Sequence, residues 1–125
     1  MHLDLQSDVP IFIQIAEQLE NAILTGALDE DMQAPSTTEI SVSYKINPAT
    51  ALKGITMLAD DGVLYKKRGL GMFVAKGAKD VILKKRKQQF FEKFILPLLS
   101  EAQKLSISTD EINAMIKKGI QNECD

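Results

Sequence analysis

Apolar residues recur at helical spacing along the first sixty residues or so of the chain. In "DVPIFIQIAEQLENAILTG", Phe12, Ile15, Ala16, Leu19 and Ile23 fall at offsets of 3, 4, 7 and 11, one face of a helix. Asp8 is placed to cap that helix, Pro10 fits its first turn and Gly26 ends it. "ALDEDMQA" then reads as a turn-rich loop with acids at Asp29, Glu30 and Asp31. "PSTTEISVSY" predicts a second, short helix. Ser36 and Glu39 have the S-x-x-E spacing of a capping box, and Ile40 and Tyr44 form a narrow apolar face. After a short turn in which Ile46 is expected to be buried, "NPATALKGITMLADDG" predicts a third helix. Asn47 is its cap, Pro48 its first residue, Ala51, Ile55, Leu58 and Ala59 its core stripe, and Gly62 its end.

The period then shortens. Val63-Leu64-Tyr65 and Met72-Phe73-Val74 read as strands joined by Arg68-Gly69-Leu70-Gly71, a basic hairpin in which glycine supplies positive φ. Lys66, Lys67 and Arg68 load its loop with charge. A longer apolar face follows. Val81 and Leu83 lead into Phe90, Phe91, Phe94, Ile95, Leu98, Leu99, Ala102 and Leu105, and Pro97 is expected to kink or split this helix. A last helix starts at Ser108 or Thr109, with Ile112, Met115, Ile116 and Ile120 on its apolar side. The composition changes near Gly77, which predicts a compact domain over residues 1–76 and a helical tail over 77–125.

Charge sharpens this picture. The net charge of −2 conceals an asymmetry: residues 1–44 carry eight acids and no Lys or Arg, whereas residues 45–93 carry twelve basic groups against four acids. A basic middle on an acidic chain points to a localised anionic partner, or to acidic and basic segments that neutralise each other in the fold. Asp60 and Asp61 read as a solvated pair and not as catalytic carboxylates. No apolar run is long enough to span a membrane, and "MHLDLQSDVP" lacks the form of a secretory signal. Cys124 is the only cysteine, expected as an exposed terminal thiol, so one chain forms no disulfide and no cysteine-based metal site. These features favour the cytoplasm.

Catalytic chemistry is thin. The lone histidine is His2, at a terminus. There is no zinc-spaced ligand set, no nucleophile with a base beside it, and "GLG" lacks the strand, helix and third glycine of a dinucleotide loop. No enzyme activity, metal or cofactor is expected. The arrangement that carries chemistry is two short helices joined by a tight turn, followed by a basic hairpin. In helix-turn-helix proteins the N-terminal end of the second helix enters the major groove of double-stranded DNA. The first helix's N–H groups, beside Ser36, Thr37 and Thr38, can hold a phosphate. Lys67 and Arg68, with the turn glycines Gly69 and Gly71, can lie along the backbone or in the adjacent minor groove.

Residues 9–74 resemble the winged-helix domain of the GntR family of bacterial transcription regulators. "PIFIQIAEQLENAILTGAL", "PSTTEI", "INPATALKGITMLADDGVLYKKRGLGMFV" and the R-G-x-G-x-F-V wing carry the resemblance. The "I-N-P-x-T" turn and a tail of about 50 residues look like the YtrA subfamily, whose members dimerise through two C-terminal helices. The resemblance implies a mainly α fold with a small β-hairpin: a winged helix-turn-helix domain followed by a two-helix C-terminal dimerisation tail. It implies a homodimeric regulator, a repressor, on a palindromic operator. The family's arginine two residues after the serine is Thr38 here, and the arginine often found in the reading helix is Leu52, with Lys53 next. Thymine methyl contact, backbone positioning and wing charge are therefore expected to carry more of the recognition than arginine readout.

The expected DNA contacts are Ser36, Thr37, Thr38, Asn47, Pro48, Ala49, Thr50, Lys53, Lys67, Arg68, Gly69 and Gly71. Ser36 and Asn47 also serve as caps, and capping alone explains either; Thr50 fits packing and Lys53 a solvated surface as well. Lys84, Lys85, Arg86 and Lys87 read as a solvated helix face or as extra phosphate donors. The expected dimer interface is Phe90, Phe91, Phe94, Ile95, Leu98, Leu99 and Ala102, part of which can instead pack on the chain's own first helix. Two other functions fit the residues: a winged-helix protein-interaction module with weak DNA binding, and a sensor of a small-molecule effector with a pocket in the helical tail.

Overall fold

The computed structural model describes residues 3–124, so His2 lies outside the described residues, as does the side chain of Cys124. The chain forms two compact units, Met1–Lys85 and Arg86–Asp125. The first contains α1 (Ile11–Thr25), α2 (Thr37–Tyr44), α3 (Pro48–Asp60), β1 (Leu64–Lys67) and β2 (Gly71–Val74), followed by the start of α4 (Ala78–Phe90). This is a winged helix-turn-helix, mainly helical with one antiparallel hairpin.

Of the α1 stripe, Phe12 is half-buried, whereas Ile15, Ala16, Leu19 and Ile23 are buried. They pack with Ile40 of α2, with Ala51, Ile55 and Leu58 of α3, and with Val63, Leu64 and Val74 of the hairpin. Burying each large aliphatic side chain contributes about 1.5–3 kcal/mol. α1 and α3 approach closely at Gly54, where an added Cβ would lie 2.8 Å from the Phe12 carbonyl oxygen and 3.2 Å from Ile15 Cγ2. The hairpin pairs Leu64 with Val74, Tyr65 with Phe73, Lys66 with Met72 and Lys67 with Gly71.

Several local expectations change. Asp8 does not cap α1. Pro10 is the N-cap, extended at φ −54° and ψ 146°, and its carbonyl accepts the first helical N–H groups from Ile13 and Gln14. Asp8 is two residues too early to reach that turn. Ile46 is half-buried, not buried. At the start of α4 the buried residues are Ala78 and Ile82, while Val81 and Leu83 are exposed. These two buried residues carry the first unit's core beyond residue 76.

Two buried polar side chains on α1 carry no mark in the apolar pattern. The Gln14 side chain accepts from the Asp4 N–H at 2.7 Å and donates to the carbonyls of Asp4 and Val9, each at 2.8 Å. It thereby pins the segment before the helix. Glu20, 2% exposed, pairs with Lys85, which also reaches Asp61 Oδ2 at 2.9 Å. Lys85 is therefore not part of a solvated face, and Asp61 is not merely solvated. The three groups tie α1, the end of α3 and α4 together. Burial by itself lowers the Lys85 pKa, but its hydrogen bonds to Glu20 and Asp61, and their charges, outweigh that and raise it.

In the second unit, the helix does not break at Pro97. A π-helical turn at Phe91–Ile95 passes into α5 (Leu96–Lys104), and α6 (Thr109–Cys124) follows. The Leu96 N–H donates to the Phe91 carbonyl, the wider spacing of a π turn. Proline has no N–H, and its ring crowds the carbonyl four residues back; the ladder widens just ahead of it. Ser108 caps α6 by accepting from the Glu111 N–H at 3.1 Å, and the Glu111 carboxylate accepts from the Ser108 N–H at 3.3 Å.

Lys85→Met should lower the unfolding free energy by about 1–3 kcal/mol near neutral pH, because it removes the Lys85 cation from the buried Glu20 carboxylate and from Asp61. A pKa raised by folding gives stability that is complete below the unfolded lysine value of ~10.4 and is lost as pH rises through the folded value. Urea titrations should therefore show stability falling in that alkaline range, and a flatter fall in Lys85→Met. Gly54→Ala should cost about 1–3 kcal/mol by wedging α3 from α1, measured the same way.

Candidate nucleic-acid interface

The helix-turn-helix is fastened at each joint by a short polar side chain. Ser36 Oγ accepts from the Glu39 N–H at 3.0 Å, and Glu39 Oε1 accepts from the Ser36 N–H at 3.2 Å, the full capping box. At the other end of α2, Lys45 adopts a left-handed conformation with φ 53°. Ser41 Oγ donates to the Ile46 carbonyl at 2.8 Å and the Ile46 N–H donates to the Ser41 carbonyl at 3.1 Å. Asn47 Oδ1 then accepts from the Ala49 N–H at 2.8 Å and opens α3, with Pro48 in its first turn.

The N-terminal turn of α3 is accessible. Asn47, Pro48 and Ala49 are exposed, Thr50 is half-buried, and Leu52 and Lys53 are exposed on the next turn. Ala51, Gly54, Ile55 and Leu58 take the opposite, buried side. Lys53 is not simply solvated: its ammonium lies over the Phe12 ring, 4.2 Å from the centroid. Phe12, Leu52, Lys53, Thr56 and Asp60 line an open groove along this outward face. Asp60, at the far end, disfavours an anion there relative to the first two turns. Ser36 and Thr38 are exposed at the start of α2, with Thr37 half-buried beside them.

The wing differs from expectation in one respect. Lys66 and Lys67 belong to β1 and not to the loop, because Lys67 is paired with Gly71 in the ladder. The Lys67 ammonium lies 4.2 Å from the Phe73 ring centroid, a cation–π contact. Arg68 and Gly69 are left at the exposed tip, closed by the Leu70 N–H donating to the Lys67 carbonyl at 2.9 Å. Gly69 has φ +79°, which the turn requires. The loop before α2 is more than a turn: Gln33 bridges to Phe73, so the residues around it extend the hairpin. Nothing in the apolar pattern marks Gln33, Phe12 or Phe73 as partners of this surface.

In the tail, Phe90, Phe91, Phe94, Leu98 and Leu99 are exposed and Ile95 is half-buried. Ala102 is 6% exposed, packed inside the helical tail. With Leu98, Leu105, Ile107, Ile112, Met115 and Ile116 it lines an apolar groove of ≈ 360 Å³. Among the described residues, no cluster of three or more His, Cys, Asp and Glu could hold a metal ion, and no helix is long and apolar enough to cross a membrane.

Helix-turn-helix, wing and helical tail define a DNA-binding regulator of the winged-helix class. No family model matches the chain. The crystal structure of a GntR-family transcriptional regulator from Bacteroides thetaiotaomicron is similar, with a TM-score of 0.77 and 35% identity, covering 90% of this chain and 98% of that one. The transcriptional repressor NagR of Bacillus subtilis is 38% identical over 76 residues, 61% of this chain but only 31% of NagR. The transcriptional repressor YtrA of Bacillus subtilis is 26% identical over 129 residues, 98% of this chain and 99% of YtrA. The chain belongs to the GntR family of transcriptional regulators, DNA-binding proteins and not enzymes.

Capping by Ser36 and the phosphate contact expected of it are separable. Ser36→Asp keeps a capping oxygen but places a negative charge where a phosphate would sit. Its melting temperature should stay near that of the parent while its affinity for duplex DNA falls at least ~tenfold, the scale of one charge-assisted contact.

Proposed function

We propose that the protein is a cytoplasmic, homodimeric repressor of the YtrA-like branch that occupies a palindromic operator in double-stranded DNA. The observation that carries this reading is the first turn of α3. Its cap and proline are in place, its outward residues are exposed, and its other face is buried against α1. In this reading Asn47, Pro48, Ala49, Thr50 and Lys53 face the major groove. The N–H groups of Thr37 and Thr38, which lack intrahelical partners, join Ser36 at a phosphate. Lys67, Arg68, Gly69 and Gly71 form the wing contact.

The dimer reading rests on the tail, where Phe90, Phe91, Phe94, Leu98 and Leu99 leave a broad apolar surface uncovered. Apolar area of that kind is typical of a partner-binding face. A YtrA-like assignment is supported by a match that runs through the tail of both chains, and repression by the activity named for YtrA. With two copies, twofold symmetry presents two reading helices to two half-sites. A second reading, a small-molecule effector in the tail, is favoured by the apolar groove beneath Met115 and Ile116, whose size suits a drug-sized ligand.

Titrating the protein against random duplex DNA and against its own promoter region across salt concentrations tests the proposal. Affinity should fall linearly on a log–log plot as salt rises, and Lys53→Ala and Arg68→Ala should each reduce the slope by about 1. Absence of salt-dependent binding at low ionic strength would reject it.

A further inference from the structure

We infer that Gln33 is a positioning residue for the wing: its carboxamide fixes the wing tip, and so holds Arg68 for contact with a DNA phosphate. This rests on the wing contact proposed above. The segment around Gln33 pairs with the free edge of β2 through an isolated bridge. Asp31 N–H donates to the Val74 carbonyl at 2.8 Å, Val74 N–H to the Met32 carbonyl at 3.0 Å, and Ala34 N–H to the Met72 carbonyl at 2.9 Å. Gln33 therefore stands opposite Phe73, which stands opposite Tyr65. Residues opposite one another in a ladder share a face, so Gln33, Phe73 and Tyr65 form one row across the ribbon. The next row on that face is Lys67 and Gly71.

The missing side chain at Gly71 opens the path. A Cβ there would lie 2.9 Å from Gln33 Nε2. Without it the carboxamide crosses the row and donates to the Leu70 carbonyl at 2.7 Å. Gly71 also has φ +116°, a backbone conformation that keeps this position a glycine, while a Cβ here would displace the end of the Gln33 side chain. Leu70 is thereby fixed at both of its peptides, its N–H bonded to Lys67 and its carbonyl to Gln33, which makes Lys67 and Leu70 the two fixed points of the tip. Arg68 and Gly69 are the residues between those two fixed points.

The other groups on this face are anchored too. Tyr65 Oη donates to Asp31 Oδ1 at 2.9 Å, and Lys67 rests on Phe73. A tip ordered before DNA arrives loses less freedom on binding than a mobile one. Gln33 thus acts through Arg68 and touches no phosphate itself.

A double-mutant cycle tests this, with fluorescence anisotropy on a random-sequence duplex at low salt. Arg68→Ala reports the wing contact itself. Gln33→Met keeps the side chain's bulk and removes its donor. It should weaken binding roughly three- to tenfold, about what one exposed hydrogen bond accounts for, with an unchanged melting temperature. In the Arg68→Ala background it should add nothing. Gln33→Asn, too short to span to Leu70, should behave like Gln33→Met and carries the cycle if the methionine variant folds poorly. An Arg68→Ala variant that binds like the parent removes the wing contact and this inference together. An Arg68→Ala loss accompanied by parental binding of the Gln33 variants, or by losses that simply add, overturns the role of Gln33 alone.

Discussion

The close approach of α1 and α3 at Gly54 is the constraint on which the reading surface depends. α3 must bury one face firmly and still present its first turn to a partner. With only hydrogen at Gly54, the α3 backbone settles within contact of the Phe12 carbonyl and the Ile15 side chain. That seats Ala51, Ile55 and Leu58 in the core and turns Ala49, Leu52 and Lys53 outward. The joints follow from this seat. The Ser41–Ile46 pair of hydrogen bonds and the Asn47 cap fix where α3 begins, and the Val63 N–H on the Leu58 carbonyl, at 2.9 Å, fixes where the wing begins.

The acidic first third of the chain has a structural purpose. Glu39 closes a capping box, Glu30 accepts from the Gly77 N–H at 2.9 Å, Asp31 takes the Tyr65 hydroxyl, and Glu20 binds Lys85. Most of these acids are satisfied by N–H and O–H donors and not by lysines. Of the basic middle, Lys85 is taken up by Glu20 and by Asp61. Lys53 and Lys67 rest on aromatic rings, which orient an ammonium without cancelling its charge. These two lysines keep their charge for an external anion.

Much of this was legible in the residues. The α1 stripe, the Ser36–Glu39 box, the Asn47-Pro48 start and the glycine turn of the wing are local signals, and local physics decides them. Lys85 is different: it resembles its neighbours Lys84 and Lys87, and only the folded chain brings Glu20 and Asp61 to it. Ile82 was hidden between Val81 and Leu83, because the helix phase at that point is set by the core it meets. The π turn ahead of Pro97 depends on how the ladder yields, which composition does not encode. Gln33 sits in an acidic loop with no periodicity, and its partner at Leu70 is far away in sequence.

In the proposed dimer these features serve a pair of α3 helices, one from each copy, that would read two turns of one duplex. Hydroxyl-radical footprinting on the promoter DNA, combined with sedimentation of the complex, measures this most directly. Two chains per duplex, with two protected patches centred about one helical turn (~10 base pairs) apart or a multiple of it, is the predicted result. One chain per duplex, or uniform protection with no paired pattern, would contradict it.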